Sequence, residues 1–543
     1  MRAMNKMRVL SAFIVAAAAT LGARQSLPDL GIVNARIFTG VSSAKWADAL
    51  VIQRDRIAAI GSDAEVGTRA RAAARVIDAR GRLIVPGFND AHAHPGAVPP
   101  HVRLEGPPAV AHDPSWEEVI DRVRNAVPKA QKGTWIIGQI GASVLLNPKA
   151  TRFALDEISG DRPVGLRSWH GHGVLFNTAA LRILNVSETE TDPPGGFFAR
   201  MPDGKTVTGL AHEYADCVLW QRLATLAGAD AQLREYKRFA AEAASLGVTS
   251  VQAMMTSYPT VEAARLFSKA QSPVRIRVIE FPLGGPTTWR RLARVPGPPT
   301  RVSVSGVKFI VDGTPIERLM FLRAPYSDAP NARGRLNFPE ADLRTSLEAA
   351  LAGGVQPMLH AVGDAAIDAV LSALEATGGE KWRPLRPRIE HGDMLEPPHF
   401  DRAKRMGVTI VQNPSHFMRG ALVRHRVGVR IERAFMVKSI VTGGVPFAIG
   451  SDGPLNPFVN MMFAAINEAN PSEALTVEEA LVAYTRGAAA AELMENQKGT
   501  LARGMLADLV VLSQDIFKVP PPELPKTSAA ITIVGGQVVH ESK

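Results

Sequence analysis

Short apolar runs of strand type alternate with helical patterns through most of this 543-residue chain. Such alternation favours βαβ units that build a parallel sheet. Helical patterns cover residues 231–246, 340–352 and 364–377. The candidate strands are 83–86 (LIVP), 248–253 (VTSVQA), 274–280 (VRIRVIE), 306–313 (GVKFIVDG), 355–361 (VQPMLHA), 386–392 (RPRIEHG), 407–413 (GVTIVQN) and 445–452 (VPFAIGSD). The pattern predicts an α/β fold, a (β/α)8 TIM barrel.

The chain before and after these strands is also of β type, with short alternating segments and turn residues. We expect residues 28–85 plus 498–543 to form one small β-sandwich domain, and residues 86–497 to form the barrel. The stretch after the first barrel strand is far too long for a single βα connection. It predicts an inserted, partly β subdomain of about residues 105–230 over the barrel mouth.

The N-terminus has the pattern of a secretory signal. Arg2, Lys6 and Arg8 precede an apolar run over residues 9–23. At roughly 15 residues the run is short of the roughly 20 that a membrane-spanning helix needs. We therefore expect residues 1–23 to be a cleaved signal peptide, with no membrane anchoring after cleavage and a periplasmic or secreted protein.

Composition narrows the class of partner. The chain is 46% hydrophobic and 21% charged, which is typical of a globular protein. Its net charge is +10, but the basic residues are scattered and form no basic run with interleaved aromatics. We expect a small-molecule substrate and no nucleic acid, and the sequence leaves a homo-oligomer open.

Two histidines separated by one residue follow the first candidate strand, in the segment LIVPGFNDAHAHP (83–95). In an extended backbone, residues i and i+2 point to the same face, so His92 and His94 can direct both imidazoles to one point just beyond residues 83–86. This arrangement suits metal chelation. Such a pair also arises by chance, and either ring can be an ordinary hydrogen-bonded histidine.

Polar residues recur at the ends of the other candidate strands. The chemistry of a (β/α)8 barrel lies at the carboxyl ends of its strands, so these residues should meet on one rim. Imidazole and carboxylate suit zinc or a similar divalent ion, and the single cysteine, Cys217, argues against a thiolate site. The rim residues are His92, His94, Lys308, Asp312, His360, His391 and Asp452.

The segments PGFNDAHAHP, GVKFIVDGT, HAVGD, RIEHGDM and IGSDGP resemble the amidohydrolase superfamily, in the branch that holds YtcJ-like proteins and N-substituted formamide deformylase. The resemblance covers nearly the whole chain. It implies metal-assisted hydrolysis with one or two divalent ions per chain, zinc being expected. The implied ligands are His92, His94, His360, His391 and Asp452, with Lys308 where binuclear members carry a carboxylated lysine. Asp452 would also move the proton from the attacking water to the leaving group.

The resemblance also implies a set of substrate-facing residues, and we add Asp312 to it because it lies beside the ligands. These residues are His172, Glu213, Asp312, Tyr326 and His416. Two departures weaken inference of the substrate from relatives. This chain has His170-Gly171-His172 where relatives often read Asp-Gly-His, and GASVLL (141–146) replaces an aromatic-rich stretch.

The sequence therefore predicts an exported metal-dependent hydrolase that cleaves a C–N bond of an amide, formamide or carbamate-like small molecule through a metal-activated hydroxide. An esterase or lactonase on the same site is the nearest alternative, because the same chemistry serves both kinds of carbonyl. A non-catalytic barrel that only binds a ligand is the second. Lys308 is either carboxylated in a binuclear site or unmodified, pairing with Asp312 or contacting substrate beside a single metal.

Overall fold

The structure is a computed structural model that describes residues 29–107, 112–286, 289 and 301–542. The predicted signal peptide lies outside these residues. Within them, no helix is both long enough and apolar enough to span a membrane.

The β-strands of this part of the chain form four sheets. The strands are β1 (Leu30–Val33), β2 (Arg36–Phe38), β3 (Trp46–Ala47), β4 (Ala49–Gln53), β5 (Arg56–Gly61), β6 (Arg75–Asp78), β7 (Leu83–Pro86), β8 (Phe88–Ala93), β9 (His101–Arg103), β10 (Trp135–Ile140), β11 (Val164–Ser168), β12 (Gly173–Phe176), β13 (Gly196–Arg200), β14 (Val207–Glu213), β15 (Val248–Met254), β16 (Arg275–Glu280), β17 (Val302–Ile310), β18 (Pro357–Ala361), β19 (Arg388–His391), β20 (Thr409–Gln412), β21 (Phe447–Ile449), β22 (Leu509–Leu512), β23 (Ala529–Val534) and β24 (Gln537–Glu541).

The α-helices lie mainly between the strands of the barrel and in the insert. They are α1 (Thr68–Arg71), α2 (Trp116–Ala126), α3 (Ala142–Leu145), α4 (Arg152–Ser159), α5 (Thr178–Ile183), α6 (Tyr214–Ala227), α7 (Ala229–Ser245), α8 (Thr260–Lys269), α9 (Glu340–Gly353), α10 (Asp364–Thr377), α11 (Pro397–Met406), α12 (Gly420–Val427), α13 (Val437–Thr442), α14 (Pro457–Ile466), α15 (Val477–Val482) and α16 (Ala488–Ala491).

Eight parallel strands form the barrel, in the order β8, β15, β16, β17, β18, β19, β20 and β21. Strands such as β8 and β15 are buried along their whole length, as expected where helices cover one face and the barrel interior the other. The two ends of the sheet meet where the Asp452 amide donates to the His92 carbonyl at 2.8 Å. The predicted (β/α)8 barrel is confirmed.

The prediction for the first barrel strand was wrong. Residues Leu83–Pro86 form β7, which pairs with β2 and antiparallel with β22 in another sheet. The chain then passes Gly87 and begins a new strand, β8, which pairs in parallel with β15. Because only Gly87 separates the two strands, the sequence pattern did not distinguish β7 from β8. His92 therefore lies inside barrel strand one, and His94 lies just after it.

Both ends of the described chain contribute to a sandwich of two sheets beside the barrel. One sheet has the order β5-β4-β1-β6, and the other has the order β24-β23-β22-β7-β2-β3. Their facing side chains form one apolar core, which includes Ile32 and Ile52 from the first sheet and Ile84, Leu509 and Ile533 from the second. The strand β7 leads from this sandwich directly into the barrel.

The segment between β8 and β15 builds a sheet of its own, in the order β13-β14-β12-β11-β10-β9. Helix α2 packs on this sheet through Trp116, Val119 and Val123. Its first turn is fixed by a capping box, in which Ser115 accepts from the Glu118 amide while Glu118 accepts from the Ser115 amide. The insert thus forms a wall of the cavity above the barrel strands.

Candidate metal centre

The barrel brings the predicted metal ligands together at the carboxyl ends of its strands. They line a single cavity of about 450 Å³. The imidazole rings of neighbouring strands stand close to one another: the ring centres of His92 and His391 are 5.2 Å apart, and those of His360 and His391 are 4.4 Å apart. The cavity lining includes His92, His94, Lys308, His360, His391 and Asp452.

Neighbouring acceptors orient His92 and His94. The Nδ1 atom of His92 lies 2.6 Å from Glu390 Oε2, and that of His94 lies 3.1 Å from the Met254 carbonyl oxygen and 2.9 Å from Thr256 Oγ1. The two Nε2 atoms then face each other at 3.1 Å. Burial, with the charge of Lys308 nearby, lowers the pKa of His92 to about 4, so its imidazole is neutral, as a metal ligand must be.

Asp452 lies at the centre of the cluster. Its Oδ1 is 3.3 Å from His94 Nε2, and its Oδ2 is 3.5 Å from His416 Nε2 and 3.9 Å from His391 Nδ1. Burial opposes ionisation, but interactions with the His92 imidazole and with His416 and His94 hold the pKa of Asp452 well below its ordinary range. The residue has a φ of +39°, an uncommon value for a side chain other than glycine. A strained backbone at this point aims the carboxylate into the ring of histidines.

His360 and His391 present ring nitrogens that no described protein group satisfies. His360 Nε2 and His391 Nδ1 are both buried and have no hydrogen-bond partner among the described residues. Burial lowers the pKa of both imidazoles well below the ordinary value. Since buried polar atoms are nearly always satisfied in folded proteins, these nitrogens fit a metal ion.

The donor set offers two overlapping groups of ligand atoms, and both include Asp452. One group is His92, His94 and Asp452, and the other is His391, His416 and Asp452; within each, the ligand atoms lie within 4.8 Å of one another. Imidazole and carboxylate are the ligands that zinc and related divalent ions take at hydrolytic sites. The residues present therefore fit one or two divalent ions.

Lys308 is buried at the base of the cavity, and its Nζ lies 3.4 Å from His92 Nε2. Burial lowers the pKa of this amine to about 8. No ion pair joins Lys308 to Asp312, although the whole of β17 and the following loop lie in the described part of the chain. Its amine thus points at the metal ligands.

Three of the residues expected to face substrate lie at the cavity or directly behind it. His172 lines the main cavity, and its Nδ1 lies 3.0 Å from the buried carboxylate of Glu213. The ring centre of His172 is 4.6 Å from that of His360. His416 lines a smaller adjoining cavity of about 40 Å³ beside Asp452.

Asp312 and Tyr326 line neither of the two described cavities, and the expectation that they contact substrate stays a prediction. Asp312 accepts hydrogen bonds from the backbone amides of Phe321, Val362 and Gly363 at 2.9 to 3.0 Å, which ties together the loops after two barrel strands. The Tyr326 hydroxyl donates to the Met320 carbonyl at 2.8 Å. Both residues stabilise the loops that carry the site.

Sequence reasoning missed the buried ion pair beneath the ligands. The Arg388 guanidinium donates to both oxygens of Glu390, at 2.7 and 2.9 Å, and it also donates to Gln252. Glu390 in turn holds His92. The available signal was the segment RIEH, in which two charged residues flank Ile389 on a strand whose four residues are all buried. A carboxylate behind a ligating imidazole fixes the ring and raises its basicity.

The chain is similar to several known proteins along most of its length. The chain is 28% identical to the protein LONG AFTER FAR-RED 3 of Arabidopsis thaliana, over 94% of this chain and 91% of the relative. It is 27% identical to YtcJ of Bacillus subtilis over 86% of this chain and 90% of that protein. It is 26% identical to an N-substituted formamide deformylase of Arthrobacter pascens over 94% of this chain and 98% of that enzyme.

Two solved structures share the fold over most of the chain. Metal-dependent hydrolases from Pyrococcus horikoshii and Pyrococcus furiosus, both described as uncharacterized, superpose with TM-scores of 0.69 and 0.65 at 23% and 25% identity. They cover 91% and 90% of this chain, and 99% of each of those chains is covered. The sequence model of the amidohydrolase family matches residues 75–540, which hold the barrel and every metal-ligand candidate. The chain belongs to the amidohydrolase family of metal-dependent hydrolases.

Proposed function

We propose that this protein is an exported, zinc-dependent hydrolase that cleaves the C–N bond of a small amide, formamide or carbamate. The observation that carries the proposal is the convergence of four histidines and Asp452 on one cavity, with buried ring nitrogens of His360 and His391 lacking a partner among the described residues. The similarity to the formamide deformylase of Arthrobacter pascens supports formamide as one substrate type.

The metal would be held by His92, His94, His360, His391 and Asp452. A divalent ion in such a set polarises the carbonyl and lowers the pKa of a water molecule to about 7. Asp452, whose carboxylate is ionised, accepts a proton from the attacking water and delivers it to the leaving nitrogen as the C–N bond breaks. His416 holds Asp452 in place from the side of the smaller cavity.

The Lys308 amine is proposed to carry a carbamate. A free ammonium is a poor neighbour for a bound cation, whereas a carbamate on Lys308 would supply two oxygens that share one negative charge and could serve as metal ligands. In its formation the amine nitrogen bonds to the carbon of CO2 and a proton is released. The competing proposal is an unmodified lysine beside a single metal. The absence of an ion pair between Lys308 and Asp312 in this fully described region favours a role for the amine at the metal site.

Export is proposed from the pattern of residues 1–23 alone, because these residues lie outside the described structure. Periplasmic or secreted protein should begin after this segment, which N-terminal sequencing of the extracellular or periplasmic fraction would show. A mature protein that keeps Met1 would contradict the proposal.

The substrate proposal is tested with mature protein reconstituted with zinc and a panel of matched carbonyl compounds. Each amide, formamide and carbamate is paired with the ester or lactone that has the same acyl group. Faster turnover of the C–N compounds supports the proposal, and faster turnover of the esters supports the esterase or lactonase instead. Protein that binds the metal fully and turns over none of them would support the non-catalytic binding barrel.

A further inference from the structure

Two arginines of the insert line the same cavity as the metal ligands. Arg103 lies on β9, the edge strand of the insert sheet, and Arg122 lies on α2. The lining of the cavity runs from these two side chains on the insert to His92 and Lys308 on the barrel strands. Arg103 and Arg122 therefore face the part of a bound molecule that points away from the metal.

The charged side chains that the insert contributes to this lining are all positive. Among the described residues that line the cavity, the one carboxylate is Asp452, which belongs to the candidate metal centre. The remaining polar side chains of the lining that come from the insert are cationic or neutral, namely His101, Arg103, Arg122, Gln139, Arg167, Ser168, His170 and His172. A negatively charged group in this outer part of the cavity would therefore be attracted by the side chains that line it.

Two other arginines of the insert form ion pairs with carboxylates, whereas Arg103 and Arg122 form none among the described residues. Arg167 forms two hydrogen bonds with the buried carboxylate of Asp216, at 2.7 and 3.0 Å. Arg124, which is two residues from Arg122 on the same helix, pairs with Asp121. Every aspartate and glutamate of the chain lies within the described ranges, and none is within ion-pair distance of Arg103 or Arg122. Neither guanidinium is therefore held in an ion pair; the charge of Glu118, one turn earlier on α2, reaches Arg122, but this carboxylate binds His112 and the Ser115 amide.

Local backbone geometry presents both side chains to the cavity. Arg103 pairs in register with Ile137 of β10, and Ile137 also lines the cavity, so the two side chains share one face of the sheet. Gly106 has a φ of +128°, and a Cβ at this position would lie only 2.7 Å from Arg122 Cζ. The glycine therefore lets the Arg122 guanidinium pack directly against the loop that borders the cavity.

We infer that Arg103 and Arg122 form a subsite for an anionic group, so that the substrate is a small amide carrying a carboxylate or phosphate at a distance from its scissile bond. The inference rests on the proposed function and specifies its substrate class. A guanidinium binds both kinds of anion through paired N–H donors. A volume of about 450 Å³ falls within the range of sites for small molecules, so the anion and the amide can occupy one cavity.

The test uses zinc-reconstituted mature enzyme and a chain-length series of N-formyl ω-amino acids. Each is paired with the N-formyl alkylamine of the same length, which lacks the carboxylate, and N-formyl-2-aminoethyl phosphate provides the phosphate arm. Released formate gives kcat and KM. At the length that spans the two subsites, the anionic compound should have a kcat/KM at least about tenfold above its neutral partner, because one charged hydrogen-bonded pair contributes on this scale.

Variants of the two arginines test whether these side chains cause the preference for the anionic compound. Arg103→Gln and Arg122→Gln should each lower kcat/KM for the anionic compound by roughly tenfold, mainly through KM, and leave the neutral partner unchanged. Arg124→Gln is the matched control on the same helix and should change neither. An anionic preference that survives in the double variant, or no preference at any length, would overturn the inference.

Failure of the inference differs from failure of the proposed function. Hydrolysis of the neutral formamides without any anionic preference would overturn the anion subsite while the hydrolase stands. If no compound is hydrolysed, the anion subsite is tested by calorimetry, which measures how tightly the same compounds bind to the zinc-loaded protein. Tighter binding of the anionic member that depends on Arg103 and Arg122 supports the subsite, and equal binding of both members overturns it.

Discussion

Replacing Glu390 by glutamine tests the support beneath the metal ligands. The side chains of Arg388, Glu390 and His92 are almost completely inaccessible to solvent. Glutamine keeps the shape but removes the negative charge, so the Arg388 guanidinium becomes a buried cation without a counter-ion. Removing one partner of a buried ion pair typically costs about 3–5 kcal/mol.

The lowered pKa of Glu390 gives a second value for the contribution of this ion pair to the free energy of unfolding. Burial alone would raise it, but the charge of Arg388 and the hydrogen bond with His92 lower it from 4.5 to about 2. This difference corresponds to roughly 3 kcal/mol of stability at neutral pH. Because the folded pKa is depressed, the contribution is present above pH 4.5 and is lost as the pH falls towards about 2.

The assay combines urea unfolding of the metal-free protein with a chelator competition for zinc. Glu390→Gln should lose about 3 kcal/mol of unfolding free energy at pH 7 and bind zinc roughly 10- to 100-fold more weakly, because His92 loses its anionic partner. The double variant Arg388→Gln, Glu390→Gln should be less destabilised than the single one, since no unpaired charge remains. A single variant with parental stability and parental zinc affinity would refute this account of the ion pair.

Three further outcomes are expected. Asp452→Asn should keep the fold and lower turnover by on the order of a hundredfold, with a change in the acidic limb of the pH–rate profile; near-normal turnover would assign the proton transfer to another group. Lys308→Ala should hold less metal than the parent and regain part of its activity when a short carboxylic acid is added; retention of a single metal without rescue would leave the unmodified lysine. Burial raises the pKa of Glu280 to about 7, so this group should lower the stability of the parent as the pH rises from 4.5 to 7. Thermal unfolding of Glu280→Gln should show a higher Tm than the parent above pH 7, and an unchanged pH dependence would contradict this.

Much of the fold could be predicted because the spacing of apolar residues along the sequence indicates which faces of a strand or helix are buried. Strands covered on both faces are short segments rich in β-branched and small residues, such as VTSVQA, which is buried along its whole length, and polar residues at strand ends mark the rim. His360 and His391 were found in this way. The same signal failed at residues 83–93, since β7 and β8 are both buried and only Gly87 separates a sandwich strand from a barrel strand.

The sequence did not predict which side chains bind each other in the folded protein. Asp312 follows a barrel strand just as a metal ligand would, yet its carboxylate is used by three backbone amides of neighbouring loops. Glu390 stands next to a ligand in the sequence, and its role depends on Arg388 and His92, of which the second lies almost 300 residues away in the chain. Such contacts follow from strand order and register, which a single sequence does not specify.

The most direct test of the account is metal content measured together with activity in parent and His92→Ala protein. Parent protein reconstituted with zinc should contain one or two ions per chain, lose activity on chelation and regain it with zinc. His92→Ala should lose both metal and activity, whereas His112→Ala, which removes an exposed histidine paired with Glu118, should keep both. Full activity of the parent without metal, or full metal content and activity in His92→Ala, would contradict the metal centre described here.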